Sequence, residues 1–351
     1  MINYLLDIYT DYLISSTGQT TSTGLSRLLD NRISHDKITR FLRDSYLDPV
    51  ELWKHAKPLV RSIEDDEGVL IIDDSIAEKE HTDENAMVTW HWGHSKQRYV
   101  KGVNFLSLLY HSKEVSVPIG VTLIEKTNPG TDRKTGKTKY VSEKSKNEYF
   151  RDMLKIAQRQ VKYRYVLGDS WFSSTENFNF ITGEMGKHFI MAIECSRTVA
   201  LSAQGRAAGK FQRVDAIAEL KDGDCLAVYL RGVEKPLMLA KQVFTNKDGS
   251  QGILYLVSSD TSLDFDGITT IYQKRWKVEE YHKSLKQNAS LAKSPTKTIE
   301  AQANHFFASM LAFVKLEKLK VKTGLGHFQF KAQLYLAGLK TMNAQLALYR
   351  A

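Results

Sequence analysis

Tyr272, Arg275, Glu279 and Lys286 stand at offsets of 0, 3, 7 and 14 in the chain. At about 100° per residue these offsets fall within a stripe roughly 60° wide on one side of an α-helix. One helix face then presents a phenol, a guanidinium, a carboxylate and an ammonium together. A carboxylate can hold a divalent cation while Arg and Lys neutralise phosphate oxygens and Tyr offers a hydrogen bond, so the set suits a phosphodiester. A second stripe, Ile271, Val278 and Leu285, supplies the apolar side on which such a helix packs.

Two further acids sit at the ends of apolar runs. Gly68-Val-Leu-Ile-Ile-Asp-Asp-Ser75 is hydrophobic on both alternating faces and ends in acid, as a buried central strand would. Tyr163-Arg-Tyr-Val-Leu-Gly-Asp-Ser170 repeats the design, with Asp169 at its end and Gly168 leaving room for close approach. Open α/β sheets place ligands at such strand ends.

The order Asp, Asp, Glu with Y-x2-R-x3-E-x6-K around the last acid resembles the DDE transposases of bacterial insertion sequences, in the subgroup with the Y-R-E-K signature. The resemblance covers roughly residues 65 to 320. It implies a ribonuclease H-like α/β fold, a mixed sheet flanked by helices, and a catalytic and metal-binding triad of Asp74, Asp169 and Glu279. Asp74 is chosen because the first acid of the family follows another acid and precedes Thr or Ser, which leaves Asp73 as the poorer ligand. Further implications are two Mg²⁺ ions, or Mn²⁺ in their place, cut-and-paste movement through hairpinned DNA ends, and a homodimer on double-stranded DNA. Tyr272, Arg275 and Lys286 would grip the terminal phosphates.

Composition agrees: 351 residues with a net charge of +9 favour a polyanionic partner. Cys195 and Cys225 have neither the number nor the spacing of a disulfide framework or zinc site, so a cytoplasmic location is expected. The apolar run Phe306–Val314 is too short to span a bilayer, and the acid-bearing N-terminus has no basic leader.

The expected organisation is an all-helical N-terminal domain (1–63), a catalytic core (64–195), a β-rich insertion (196–266), final core helices (267–320) and a helical tail (321–351). In the first part, Thr23–Asp30 and His35–Arg43 read as two short helices, the second capped by Ser34. With Lys37, Arg40 and Arg43 on its polar side, this pair fits a DNA-reading helix-turn-helix or a plain helical cap. His94 and Lys101 are expected DNA contacts from the His91–Lys101 stretch, read as a loop. His81, His91 and His94 lack metal spacing. Asn128–Lys139 is expected to be a basic loop, followed by a helix over 142–160. A nuclease without strand transfer, or a non-catalytic DNA-binding protein, would share much of this pattern.

Overall fold

A computed structural model describes residues 2–93, 96–131, 136, 138–246 and 248–350. Four helices come first: α1 (Ile2–Ser15), α2 (Ser22–Leu28), α3 (His35–Asp44) and α4 (Pro49–Ile63). Their starts are encoded locally. The side chains of Thr21, Ser34 and Asp48 accept hydrogen bonds from the amides of Gly24, Lys37 and Glu51, and Pro49 occupies the first turn of α4. Asp30 and Asn31 take positive φ between α2 and α3, a conformation that short polar side chains tolerate.

Strands β1 (Val69–Glu78), β2 (Val88–Gly93), β3 (Arg98–Ser112) and β4 (Val115–Leu123) follow, then a small hairpin of β5 (Asn128–Thr131) and β6 (Thr138–Val141). The described parts of the stretch expected to be a loop over 91–101 therefore belong largely to β2 and β3, which pair antiparallel. The described parts of the 128–139 segment are strands as well. Helix α5 (Lys146–Gln160) starts four residues later than expected, because Ser145 and Glu148 form a capping box. Beyond it come β7 (Tyr165–Gly168), α6 (Thr175–Asn179), β8 (His188–Ile193), β9 (Thr198–Ala200), α7 (Ala203–Ala207), β10 (Gln212–Arg213), β11 (Cys225–Leu230), β12 (Leu237–Thr245) and β13 (Gln251–Ser258).

One large sheet runs in the order β10-β9-β11-β12-β13-β8-β7-β1-β3-β2, with β4 also paired to β3. β1, β7 and β8 are parallel neighbours, while β3 and its partners run antiparallel. This is a mixed α/β architecture consistent with a ribonuclease H-like fold. The strands of the 196–266 segment extend the same sheet, since β13 pairs with β8. Val69, Leu70, Ile71 and Ile72 of β1 are fully buried, as expected of a strand covered on both faces.

Helices α8 (Phe265–Gln273), α9 (Trp276–Asn288), α10 (Ile299–Thr323) and α11 (His327–Leu348) complete the chain. α10 is buried over most of its circumference and receives the N-terminal helices: Tyr9 Oη lies 2.9 Å from His305 Nδ1, and the Leu47 amide donates to Asn304 Oδ1 at 2.9 Å. Gly324, in the left-handed region, ends it. No helix among the described residues is long and apolar enough to cross a membrane.

Candidate active site

Alternation along a strand sends neighbouring side chains to opposite faces, so only one of two adjacent acids can face a given helix. The structure turns Asp73 toward α9. There one ligand atom each from Asp73, Glu279 and His282 lie within 4.8 Å of one another. Asp74 points the other way, to Lys146 Nζ at 2.6 Å and Asn104 Nδ2 at 3.2 Å. Asp74 is the expected ligand of the pair, whereas Asp73 is the one that faces Glu279 and His282. A sequence motif registers adjacency but not which side of the pleat looks at the helix.

Asp169 follows β7 directly. Its side chain accepts from the Trp171 amide at 3.0 Å. Gly168 leaves the close approach expected of it, because a Cβ there would stand 3.1 Å from Ile72 Cγ2. Asp73, Asp74, Asp169, Glu279, His282 and Lys286 all line one cavity of about 590 Å³.

The Tyr-Arg-Glu-Lys stripe is not carried by one continuous helix. Lys274 and Arg275 close i→i−3 hydrogen bonds to Ile271 and Tyr272, a tight turn between α8 and α9. Angular arithmetic assumes 3.6 residues per turn throughout and cannot see this local overwinding. Tyr272 hence sits at the end of α8, with its hydroxyl donating to the Gly168 carbonyl at 3.4 Å. Arg275 occupies the junction, 3.8 Å from Glu279, and Lys286 reaches Ser75 Oγ at 3.0 Å. Val278 and Leu285 are fully buried, as the apolar stripe requires, and Ile271 packs partly buried against the core.

The electrostatics of the cavity are those of acids held without enough cations. Burial, then the negative charges of Asp169, Glu279 and Asp74, push the Asp73 carboxyl up to about 8. Burial also raises Asp169, against the opposing pull of the Trp171 amide and Arg275. The Tyr272 phenol is pushed up to about 12, and His282 down to about 3, in both cases chiefly by burial. A neutral imidazole is the metal-binding form of histidine. His282 Nε2 is buried with no hydrogen-bond partner among the described residues. Carboxylates of Asp73 and Glu279 gathered beside a neutral imidazole, whose Nδ1 stands 3.7 Å from Asp73 Oδ2, fit a divalent cation.

Sequence reasoning missed His282, although its place three residues after Glu279, on the same helix side, was a usable signal. Lys146 was also missed, and nothing in its local sequence marks it. Lys37, Arg40 and Arg43 lie exposed on α3, opposite the buried Ile38, Phe41 and Leu42, and do not line the acidic cavity. Lys101 sits on β3 with its Nζ 5.8 Å from the centre of the Trp90 ring and is not part of the cavity wall. His94 lies outside the described residues.

A mixed sheet with parallel central strands, acids midway along β1 and directly after β7, and a third acid on a covering helix define a ribonuclease H-like protein with an acidic site. β1 runs on to Glu78, beyond the acids at which its apolar run was expected to end, because those residues stay paired with β3. The profile of the DDE superfamily endonucleases matches residues 4–213, more than half of the chain, and the protein belongs to that family. The matched stretch holds Asp73, Asp74 and Asp169 and ends before Glu279. No curated protein matches the chain. Membership implies metal-dependent cleavage of DNA, and Asp73, Glu279 and His282 form a group whose ligand atoms lie close enough together for one ion.

Proposed function

We propose that the protein is a transposase of the bacterial insertion-sequence type, in the subgroup with the Y-R-E-K signature. It would cleave DNA at the ends of its element and join the freed 3′-hydroxyl to target DNA, with hairpinned ends as the intermediate. The observation that carries this reading is the convergence of Asp73, Asp74, Asp169 and Glu279 with Lys286 in one cavity, with Arg275 3.8 Å from Glu279. Asp74, Asp169 and Glu279 are the expected ligands, and Asp73 joins them because it already faces Glu279 and His282.

When bound by these oxygens, Mg²⁺ or Mn²⁺ supplies the charge that activates an attacking oxygen and stabilises the leaving one. The remaining work falls to side chains. Arg275, held between Tyr272 and Glu279, has a guanidinium that suits a phosphate oxygen. Lys286 can exchange its bond to Ser75 for a second phosphate. Hydrolysis and joining need no second site, since each is attack of an oxygen on a phosphodiester.

The expected division into a DNA-reading helical part (1–63), a split core (64–195 and 267–320), a β-rich part (196–266) and a tail (321–351) belongs to this reading, with residues 1–63 recognising the element ends. So does assembly as a homodimer on DNA, for which α11 offers exposed apolar side chains at Leu339, Met342 and Leu346.

The test uses the full chain with duplex DNA carrying the element end, in Mg²⁺ or Mn²⁺, beside a pre-cut end and a target plasmid. Cleavage of the first and joining of the second are the expected results. Cleavage without joining would make the protein a nuclease, and inactivity in both metals would sink the proposal.

A further inference from the structure

The β2–β3 hairpin carries three large aromatic side chains in water. Trp90, Trp92 and Tyr99 are 51%, 42% and 66% exposed, far more than rings of that size usually are when they serve only the core. The register explains how they come together. Trp90 stands opposite Lys101 and Trp92 opposite Tyr99, so all four side chains share one face of the ribbon. Trp92 and Tyr99 meet edge to face with ring centres 5.2 Å apart, and Lys101 Nζ lies over the Trp90 ring.

Residues Arg98 to Lys101 of β3 have their ladder partners on β2, because the pairing with β1 begins at Gly102. This end of the hairpin is braced against β1 and the residues after it by the Lys79 amide donating to the Lys101 carbonyl at 2.8 Å and by the Lys96–Glu78 and Arg98–Glu80 ion pairs.

The same face continues toward the acids. Along β3 it passes through Val103 and Phe105 to Ser107, and the β1 partners of these residues are Ala77, Ser75 and Asp73. Trp92 itself lines the acidic cavity. On the far side, Trp90 forms a wall of a groove of about 780 Å³ together with Tyr140, Lys126, Lys139 and the single acid Glu84. Aromatic surface thus links the acids to a groove in which cations outnumber acids.

Exposed ring faces can stack only on rings whose own faces are free. In duplex DNA those faces are covered by neighbouring base pairs, while unpaired bases offer them at every step. Successive side chains on one strand face stand about 6.6–6.8 Å apart, a spacing that keeps Trp90 and Trp92 as separate platforms.

We propose that Trp90, Trp92 and Tyr99, with Lys101 and Lys126, form a binding site for unpaired DNA leading away from the catalytic acids. The rings take base faces and the two lysines take phosphates between them. The inference rests on DNA being the substrate, and it adds that the strand leaving the acids is held single.

The experiment measures binding by the full chain, with chelator present so that nothing is cut. The probes are a labelled oligothymidylate of roughly twelve nucleotides and a duplex of element-end sequence. Trp90→Ala and Tyr99→Ala should each weaken oligothymidylate binding about tenfold, the loss of one stacked base. Duplex binding should stay within about twofold, since its base faces are covered. Trp90→Phe should retain most of the affinity. Lys101→Ala should lower the salt slope on oligothymidylate by about 0.7, one phosphate's share.

Tyr99→Leu keeps apolar bulk without a π face and replaces Tyr99→Ala if the alanine variant does not fold by circular dichroism. Unchanged oligothymidylate binding, or equal losses on both probes, overturns the inference. If the wild-type chain cuts duplex DNA with metal while the variants bind oligothymidylate normally, only this inference fails. If wild type binds neither probe, the proposed function fails with it.

Discussion

Two clusters of buried acid in this molecule are built on opposite terms. Glu317 of α10 is 4% exposed, and each of its carboxylate oxygens faces a nitrogen from the chain itself: Lys320 Nζ at 3.3 Å and His327 Nε2 at 3.2 Å. His327 in turn meets Ser284 Oγ at 2.8 Å, so α9, α10 and α11 are tied together. Asp73 is nearly as buried, at 9% exposure, yet its charged neighbours are mostly other acids. In the first cluster the groups beside the acid are nitrogens of the chain itself. In the second, like charges are gathered at an energetic cost that only a cation from outside can offset.

The largest expected effect separates these roles. Asp74→Asn, Asp169→Asn and Glu279→Gln should each lower cleavage by about a hundredfold or more because they remove metal ligands; Asp169→Asn and Glu279→Gln also relieve repulsion and should not lower Tm, whereas Asp74→Asn gives up its ion pair with Lys146. Asp73→Asn should match Glu279→Gln if its orientation toward α9 is functional. Near-normal cleavage by that variant returns Asp73 to a bystander. Glu317→Ala should do the reverse, destabilising the fold by about 2–3 kcal/mol while sparing cleavage by molecules that remain folded. Single-turnover cleavage and thermal melts on the same preparations distinguish the two patterns.

A second, smaller effect concerns pH. An aspartate in an unfolded chain titrates near 4, whereas Asp73 in the folded protein is raised to about 8. Between those values the folded state holds the extra proton, so stability contributed through Asp73 falls as pH rises from about 4 to about 8. In chelator, the melting temperature of wild type should therefore drop relative to Asp73→Asn across that window. Saturating Mg²⁺ should remove the difference at the upper end. Parallel melting curves for the two proteins would show that Asp73 does not titrate there.

The smallest effect is expected at α3, where charge is exposed and no acid crowding exists. Lys37→Ala and Arg40→Ala should each reduce the salt slope of DNA binding by about 1 if each side chain meets one phosphate. Arg43→Ala should do less, because Asp44 already holds its guanidinium at 2.6 and 2.9 Å. An unchanged slope in all three would move end recognition to another surface. Deleting residues 1–63 is not an equivalent test, because it strips Tyr9 and Leu47 from α10.

How much of this was legible in the sequence depends on the range over which each feature is encoded. β1 and β7 declared themselves through unbroken apolar runs, and α3 through Ser34 and its buried Ile38, Phe41 and Leu42. The resemblance supplied the topology in which β7 lies parallel between β1 and β8, which periodicity alone leaves undetermined. The orientation of Asp73 was hidden because strand register is settled against β3 and α9, far along the chain. The turn at Lys274–Arg275 was hidden because nothing there is a Gly or Pro breaker. The hairpin around Trp90 and Trp92 was misread as a loop, its period-two aromatic pattern obscured by the polar run that follows. The docking of residues 1–63 onto α10 left no local trace.

That docking has a consequence for the order of events at the ribosome. Tyr9 needs His305 and Leu47 needs Asn304, partners 296 and 257 residues further along the message. At synthesis rates of about 5–20 residues per second, the first helices emerge on the order of ten seconds to a minute before the surface that covers them exists. Leu5, Leu13 and Phe41 are greasy throughout that interval. The newborn N-terminal segment is thus a natural client for a holding chaperone, and a chain interrupted before residue 299 would release those helices with no α10 to cover them.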